Sequence, residues 1–296
     1  MDKKYQEKEV LEAQDGARLD AALEVLVPGE SLRFRRRLWD RYDILVNGYP
    51  RAKAYRVHAG QKLALRLKET EPERSPMQNI PAGVRVVAQS TGVMAGLYKP
   101  SSVHSQAIAG KIEPCMESAI PAFWPNRFAE LLNRLDYLTS GVVLVALCEE
   151  SREQFREDEK AGAVRKHYFA VLHGELEEEL VLRRKLDMAK RKKVRVLRED
   201  DEDPVRTTVV TPVEVRDGKT LAHVEICRGA RHQIRAHCAD AGYPLCGDPL
   251  YGEGDGDELM LHHFLIQFRD FQAFALPQDE KWSEWEKLLK QVAAKV

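Results

Sequence analysis

The segment NRLDYLTSGVVLVA, residues 133–146, places an Arg-Leu-Asp element and a Thr-Ser-Gly turn directly before an apolar strand. If Arg134 and Asp136 lie in extended backbone, their two-residue spacing puts both side chains on the same side. A cation and a carboxylate would then face one pocket at the mouth of a strand, where polar groups can meet a ligand. A structural ion pair in a loop is the alternative that this segment alone leaves open.

A second candidate is Tyr168 in the segment KHYFAVLHGEL. Alternation in a strand places Tyr168 with Ala170 and Leu172 on one face, and Phe169 with Val171 on the other. A lone tyrosine in a strand is usually a core residue, so this segment by itself indicates packing.

The third candidate is the segment CRGARHQIRAHCADAGYPLCGDPLYG, residues 227–252. It predicts a short helix in which Arg231 and Arg235 stand one turn apart and Ile234 and Cys238 lie on an apolar side. The residues after this helix are interpreted as turn formers rather than as catalytic groups: Gly242, Pro244, Gly247 and Asp248.

The composition limits the class of protein. A chain of 296 residues with 44% hydrophobic content can bury a large core, so we expect one large and one small domain. No apolar run approaches the roughly 18 to 20 residues needed to cross a bilayer, and the N-terminus lacks the apolar core of a secretory signal. We therefore expect a soluble, cytoplasmic protein that does not bind membranes.

The cysteines point to neither disulfides nor zinc. Their number is odd, they are scattered, and none has CxxC spacing, so we expect buried thiols and no structural metal site. They are Cys115, Cys148, Cys227, Cys238 and Cys246.

The positive charges are clustered although the formal net charge is only −1. Arg33, Arg36 and Arg37 recur at helical spacing and form a cationic side, and only Asp40 lies among them in sequence. A solvated charged face is the alternative. A second basic segment runs from Arg183 to Arg195.

The elements that would position these groups fall into two regions. Residues 17–67 predict a short helix, a second helix capped by Ser31 with Leu38 packed inward, and strands joined by the Asn47-Gly48 turn. The Pro-rich, charged segment KETEPERSPMQNIP predicts a linker. We therefore divide the chain into an N-terminal extension (1–16), a small domain (17–68), a linker (69–83) and a large domain (84–296).

Strands dominate the predicted large domain. VRVVAQ, VMAGLY, VVLVALC and KHYFAVLHGEL read as strands, EESREQFREDEKAG as a surface helix, and an Asp-Gly turn joins RTTVVTPVEV to LAHVEIC. Few of these strands alternate with helices. The sequence therefore predicts an α+β fold with a mixed, mainly antiparallel sheet.

Taken together, the three segments resemble the RluA family of pseudouridine synthases. NRLDYLTSG is similar to the family's HRLD-x-x-TSG motif, RKHYFAVLHG to its K-x-Y-x-A-x-V-x-G strand, and ARHQIRAHCADAGYPLCGDPLYG to its G-R-x-HQIR-x-H segment with the trailing GD-x-x-YG. LYKPSSVHS and LMLHHF are weaker matches. The resemblance covers nearly the whole chain, since residues 17–67 resemble the small RNA-binding domain of ribosomal protein S4, an α/β unit.

Three positions depart from the family pattern. Asn133 stands where the family has His, Ala230 where it has Gly before Arg231, and His263 where it has Ala. The Asn leaves the aspartate of the motif intact, so we expect altered tuning or substrate choice. Gly at position 230 would ease a close backbone approach that Ala restricts.

The resemblance implies roles for the large domain. Asp136 would be the nucleophile and Arg235 its cationic partner, because a carboxylate closed off from water otherwise tends toward its neutral form. Tyr168 would stack on the uracil and take part in proton removal. Arg134 would enter the space left by the flipped nucleotide, and Leu261 would form an apolar wall under the base.

The resemblance also implies the partners. Structured RNA is the expected substrate, ribosomal RNA ahead of transfer RNA, and Arg33, Arg36 and Arg37 would contact its phosphates. The reaction needs no cofactor or metal, and we expect a monomer.

Two other functions were weighed. An RNA-binding protein that keeps the fold without efficient catalysis would account for Asn133 and Ala230. A carboxylate-based glycosidase would need a second acid, and the matched motifs offer none beside Asp136. Neither a Rossmann nor a P-loop glycine pattern occurs.

Overall fold

The computed structural model describes residues 7–67, 80–108, 113–189, 192–252 and 258–296. The chain divides into two compact units, Met1–Glu73 and Arg74–Val296. The predicted linker falls mostly outside the described residues, as do the start of the predicted extension and residues 190–191 of the second basic segment. Among the helices of the described ranges, none combines the length and apolar character needed to cross a bilayer.

The first unit is a four-stranded antiparallel sheet with short helices, in the strand order β1-β4-β2-β3. Its elements are β1 (Lys8–Glu9), α1 (Leu19–Ala22), α2 (Leu32–Arg41), β2 (Tyr42–Val46), β3 (Tyr49–Pro50) and β4 (Lys62–Leu67). Because β1 pairs with β4, part of the predicted extension belongs to this sheet.

Local signals predicted this unit's elements correctly. Ser31 caps α2, since its Oγ accepts the Phe34 N–H at 3.2 Å. Asn47 and Gly48 have φ values of 50° and 81°, which suit the tight turn between β2 and β3. Leu38 is buried in the unit's core. Whether the unit is S4-like stays a prediction.

The cationic side of α2 is less free of acids than the sequence indicates. Arg36 Nε donates to Asp20 Oδ2 at 2.7 Å, and Arg35 donates to Glu24 at 2.8 Å. Burial opposes ionisation of Asp20, yet hydrogen bonds from Arg36 and Arg18 hold the pKa of Asp20 below its usual value. Only Asp40 lies among the arginines in sequence, but Asp20 and Glu24, from the preceding helical turns, pair with two arginines of α2. Arg36 has a structural partner as well as an exposed side.

The second unit carries the larger sheet and four helices among its described residues. Its elements are β5 (Arg85–Ser90), β6 (Met94–Lys99), α3 (Met116–Phe123), β7 (Glu130–Leu131), β8 (Ser140–Ala146), α4 (Glu149–Ala161), β9 (Arg165–His173), β10 (Leu180–Leu182), β11 (Arg184–Asp187), β12 (Arg195–Asp200), β13 (Thr208–Arg216), β14 (Lys219–Ile226), α5 (Gln233–Asp240), β15 (Leu261–Phe268), β16 (Phe271–Phe274) and α6 (Glu286–Ala293).

Ten strands form one sheet, with the main path β10-β13-β14-β9-β15-β8-β6-β5, while β7 pairs with β8 and β16 with β15. The strands β11 and β12 form a separate two-stranded ribbon. Among the described strands, β8 and β15 run parallel and the other neighbours run antiparallel. The predicted α+β fold with a mixed, mainly antiparallel sheet is confirmed.

The two faces of the sheet carry different cores. On β9, Tyr168, Ala170 and Leu172 belong to one buried cluster, while Phe169 and Val171 belong to another, as the alternation predicts. The first cluster also holds apolar residues of α3 and α5. The candidate site lies at this face.

The cysteines are free thiols, as expected, although Cys148 and Cys227 are only half-buried. Among the described residues, no group of three or more His, Cys, Asp or Glu side chains is placed to hold a metal ion.

Candidate active site

Asp136 lies in the loop between β7 and β8, and hydrogen bonds fix this loop on both sides of it. The buried Ser105 accepts the Leu135 N–H at 3.0 Å and donates to the Leu135 carbonyl at 2.8 Å. The Thr139 N–H donates to the Asp136 carbonyl at 3.1 Å and closes a turn. The backbone on either side of the carboxylate is therefore tied down before any ligand binds.

Lys99, at the end of β6, is a buried cation under the same loop. Its Nζ donates to the carbonyls of Tyr137, Val103 and Pro100 at 3.2, 2.8 and 3.0 Å. Burial lowers the pKa of Lys99 to about 7, and the negative charge of Asp136 opposes that shift. Lys99 thus joins the Asp136 loop to the neighbouring strand.

Arg235 joins Asp136 to a second, fully buried carboxylate. Its Nη1 donates to Asp136 Oδ2 at 3.1 Å, while Nε and Nη2 donate to the two oxygens of Asp248 at 2.7 Å each. The side chain of Asp248 has no exposure, whereas that of Asp136 is 26% exposed. Of the two carboxylates on this arginine, Asp136 is therefore the one that a ligand can reach.

Arg235 and its two carboxylate partners, Asp136 and Asp248, form a trio in which Arg235 and Asp248 stabilise each other's charged form. Burial works against the charged guanidinium, but the hydrogen bonds and charge of Asp248, followed by those of Asp136, raise the pKa of Arg235. Burial likewise opposes the Asp248 carboxylate, but the bidentate arginine and the N–H groups of Leu250 and Tyr251 lower the pKa of Asp248. A permanent cation therefore faces Asp136.

His232 lies immediately before α5, with a left-handed φ of 56°. Its Nε2 is 3.9 Å from Asp136 Oδ2, and its Nδ1 is 3.1 Å from the Tyr251 hydroxyl, which also accepts the Val194 N–H at 2.7 Å. Burial lowers the pKa of His232, with Asp136 opposing, so the imidazole favours its neutral form.

The start of α5 corrects one prediction. The helix begins at Gln233, and the left-handed His232 separates it from Arg231. Arg231 and Arg235 are therefore not one helical turn apart, and Arg231 instead donates to the Ala189 carbonyl at 3.2 Å. The apolar side is confirmed, because Ile234 and Cys238 are buried in the core.

Tyr168 is buried near the carboxylate, with its ring stacked on that of His263 at a centroid distance of 4.3 Å. Burial, and then the negative charge of Asp136, raises the pKa of Tyr168. The phenol therefore stays protonated at neutral pH. Leu261 is buried in the same cluster, opposite Ala170 in the register of β15 and β9.

Arg134 lies two residues before Asp136 in the same loop. Its side chain is exposed and donates to Gln106 Oε1 at 3.2 Å. The arginine that contacts Asp136 is Arg235, and that Arg134 faces the same pocket as Asp136 stays a prediction.

Of the departures from the family pattern, Asn133 has a structural explanation, whereas the contact of Ala230 is a backbone one that glycine would also make. Asn133 Oδ1 accepts the Leu144 N–H of β8 at 2.7 Å, which holds the Asp136 loop against the strand. The Ala230 N–H donates to Gln233 Oε1 at 2.9 Å at the start of α5. Neither residue interrupts the pair of Asp136 and Arg235.

Sequence reasoning missed four residues that shape the site, and it interpreted one of them, Asp248, as a turn former. The GD-x-x-YG motif was the available signal for Asp248 and Tyr251. Lys99 and His232 stand inside matched motifs, whereas His263 was noted only as a departure. The missed residues are Lys99, His232, Asp248 and His263.

Comparisons with known proteins show which family the chain resembles. A family profile described as RNA pseudouridylate synthase matches residues 94–240. An uncharacterized RNA pseudouridine synthase of Helicobacter pylori strain J99 is 30% identical over 229 residues, 75% of this chain and 86% of that protein. The ribosomal large subunit pseudouridine synthase C of Escherichia coli K12 is 28% identical over 254 residues, 82% of this chain and 78% of that protein.

Solved structures share the fold at lower identity. The structure of human RNA pseudouridylate synthase domain containing 4 covers 69% of this chain and 92% of its own, with a TM-score of 0.54 and 16% identity. Human RNA pseudouridylate synthase domain containing 1 covers 71% and 86%, with a TM-score of 0.53 and 20% identity. These likenesses concern the fold.

Proposed function

The chain belongs to the RluA family of RNA pseudouridine synthases, and we propose that Asp136 is the nucleophile with which it converts selected uridines of structured RNA into pseudouridine. One observation carries this assignment. Asp136 is the partly exposed carboxylate on a buried arginine whose other side is already held by Asp248. That arrangement presents a carboxylate oxygen, oriented by an arginine, at the edge of an apolar cluster.

The reaction exchanges one glycosidic bond for another within the same nucleotide. The bond from C1′ to N1 breaks, the bond from C1′ to C5 forms, and the proton that leaves C5 is balanced by the one that N1 gains. A carboxylate that adds covalently and later leaves divides this exchange into easier steps. Arg235 orients the Asp136 carboxylate for this attack.

Tyr168 and Leu261 supply the apolar surroundings for the base. We assign Tyr168 to ring contact with the uracil, because burial favours its neutral phenol. Proton removal by Tyr168 would require the phenol to ionise in the closed complex. Leu261 forms part of the apolar wall.

The remaining assignments concern RNA. The target uridine must leave its stack, at a cost of a few kcal/mol. Arg134 is exposed on the Asp136 loop, where it can occupy the vacated space. We assign Arg33, Arg36 and Arg37 to phosphate contacts, and we propose an S4-like role for the first unit.

The favoured substrate class is ribosomal RNA, with transfer RNA second. The support is that relatives at 25 to 28% identity are named ribosomal large subunit pseudouridine synthases. We also propose that the protein acts as a cytoplasmic monomer, which light scattering of the purified protein can check.

Mapping of pseudouridines in total RNA, from cells with and without this protein, tests the proposal. We expect one or more ribosomal RNA positions to lose pseudouridine in its absence and to regain it when the wild-type gene is restored. Loss at transfer RNA positions would keep the activity and change the substrate class. No changed position in any RNA would contradict the proposed function.

A further inference from the structure

The ring of Tyr168 is fixed by a side chain that the family pattern does not have. His263 on β15 stands directly opposite Tyr168 on β9, and the two rings stack with a centroid distance of 4.3 Å and an interplanar angle of 19°. On the other neighbouring strand, Val224 stands opposite Tyr168. Of these two cross-strand neighbours, His263 is the one that stacks on a face of the tyrosine ring.

The imidazole of His263 is itself held in one orientation. Its Nδ1 lies 2.5 Å from the Val142 carbonyl, an acceptor, so Nδ1 carries the hydrogen and Nε2 is left as an acceptor. The pairing of β8 with β15 ends at Gly141. The His263 side chain bonds the Val142 carbonyl, which is the acceptor that the next backbone hydrogen bond between these two strands would use. The ring is completely buried.

Burying the imidazole of His263 has an energetic cost, and the hydrogen bond to Val142 alone does not explain why a histidine stands at this position. Nε2 is buried without a hydrogen-bond partner among the described residues, which is unfavourable for a polar atom. An asparagine could also donate to the Val142 carbonyl, so this hydrogen bond does not by itself require a histidine. The aromatic ring is the feature that only the histidine adds.

We infer that His263 is a positioning residue for the reaction, which acts by stacking on Tyr168 and leaving the opposite face of that ring for the target uracil. The inference rests on the proposed function for its effect on catalysis. Without the stack, the Tyr168 ring gains room to turn, and the base loses a defined surface. Small errors in position reduce the rate more than they weaken binding of a large RNA.

Two substitutions separate the stack from the hydrogen bond. His263→Asn keeps a donor for Val142 and removes the ring, whereas His263→Phe keeps a ring and removes the donor. His262→Asn is the matched control, since His262 is an equally buried neighbour that bonds Ser140 and the Ala275 carbonyl and points to the other face. Each variant is measured for kcat, KM, melting temperature and the NMR signal of ring-labelled Tyr168, which Tyr168→Phe assigns.

We expect His263→Asn, which removes a fully buried ring, to lower the melting temperature about as much as His262→Asn does. Only His263→Asn should lose about tenfold or more in kcat at unchanged KM, with an altered Tyr168 signal. His263→Phe recovers most of kcat despite a lower melting temperature, and His262→Asn changes stability without changing kcat. If His263→Phe does not fold, the difference in kcat between His263→Asn and His262→Asn still tests whether His263 positions Tyr168.

The inference is overturned if His263→Asn keeps the wild-type kcat and Tyr168 signal. It is also overturned if kcat follows melting temperature across all three variants, since that result indicates a merely structural role. If the wild-type protein forms no pseudouridine, the proposed function fails, and the Tyr168 signal alone decides whether His263 positions the ring.

Discussion

At the scale of single residues, the site depends on how Arg235 divides its hydrogen bonds. Two of its nitrogens are committed to the buried Asp248, and one remains for the partly exposed Asp136. The buried pair therefore fixes the guanidinium, and the fixed guanidinium orients the nucleophile. Asp248 never needs to touch the RNA to matter for the rate.

Asp248→Asn tests this division. Removing the charge of Asp248 leaves Arg235 buried with one carboxylate and lets it turn toward Asp136, so we expect lower kcat together with a loss of stability of about 3 to 5 kcal/mol. Urea unfolding and single-turnover kinetics measure the two effects. Asp158→Asn is the control, because Asp158 forms a similar bidentate pair with Arg269 at the surface. Equal losses of kcat and of stability in Asp248→Asn and Asp158→Asn would contradict the role assigned to Asp248 in fixing Arg235.

At the scale of elements, the parallel contact between β8 and β15 brings the Asp136 loop beside His263. Gly141 makes this contact possible, because its φ is 122° and an added Cβ would lie 2.1 Å from the His263 carbonyl oxygen. The glycine of the Thr-Ser-Gly turn is thus required by backbone packing rather than by chemistry.

Gly141→Ala is expected to separate the two strands and to cost more than about 3 kcal/mol of unfolding free energy, with activity lost in parallel. Gly229→Ala is the matched control, since its Cβ would meet only Ile226 Cδ1 at an ordinary 3.7 Å. Thermal melts of both variants measure the difference. A Gly141→Ala protein as stable as the control would show that the close approach is not required.

Elements whose signals are local could be predicted from the sequence, and contacts between distant segments could not. The cap of α2, the Asn47-Gly48 and Asp217-Gly218 turns and the alternation on β9 each depend on a few neighbouring residues. The pair of Asp136 with Arg235 came from the motif resemblance, because the two residues are 99 positions apart. The stack of Tyr168 on His263 depends on strand order, which no local pattern specifies.

At the scale of the whole molecule, the buried imidazoles of the second unit make stability depend on pH. Burial lowers the pKa of His223 and of His262 to about 4, and that of His263 to about 3. In the unfolded chain these groups titrate near 6.5. Between these values the unfolded state binds protons that the folded state does not, so the contribution of these imidazoles to stability is full above about pH 6.5 and falls as the pH decreases.

We expect the unfolding free energy to decrease from pH 7 to pH 5, with each such imidazole adding up to about 1.4 kcal/mol per pH unit. Urea titrations in this range, above the pKa of ordinary carboxyl groups, measure the slope. His223→Gln should make the slope of unfolding free energy against pH shallower by the contribution of one imidazole. A flat profile from pH 7 to pH 5 would contradict the neutral, buried state of these rings.

The first unit allows a different test, of RNA affinity rather than of chemistry. Arg33→Gln combined with Arg37→Gln should weaken RNA binding and reduce its salt dependence, with kcat at saturating RNA unchanged. Arg66→Gln is the control, since Arg66 is an exposed arginine of the same unit that pairs with Asp43. Filter binding at several salt concentrations measures the effect. Equal weakening by the control would remove the special role assigned to α2.

The central claim is that one carboxylate, Asp136, performs the covalent chemistry. It is tested most directly by counting pseudouridines, by liquid chromatography of the nucleosides coupled to mass spectrometry, in ribosomal RNA from cells lacking this protein after incubation with purified enzyme. We expect wild-type protein and the control Asp217→Asn, altered in a surface turn that accepts Asn, to form pseudouridine, and Asp136→Asn to be slower by roughly 10³-fold or more. Pseudouridine formed by Asp136→Asn at the wild-type rate would contradict the account.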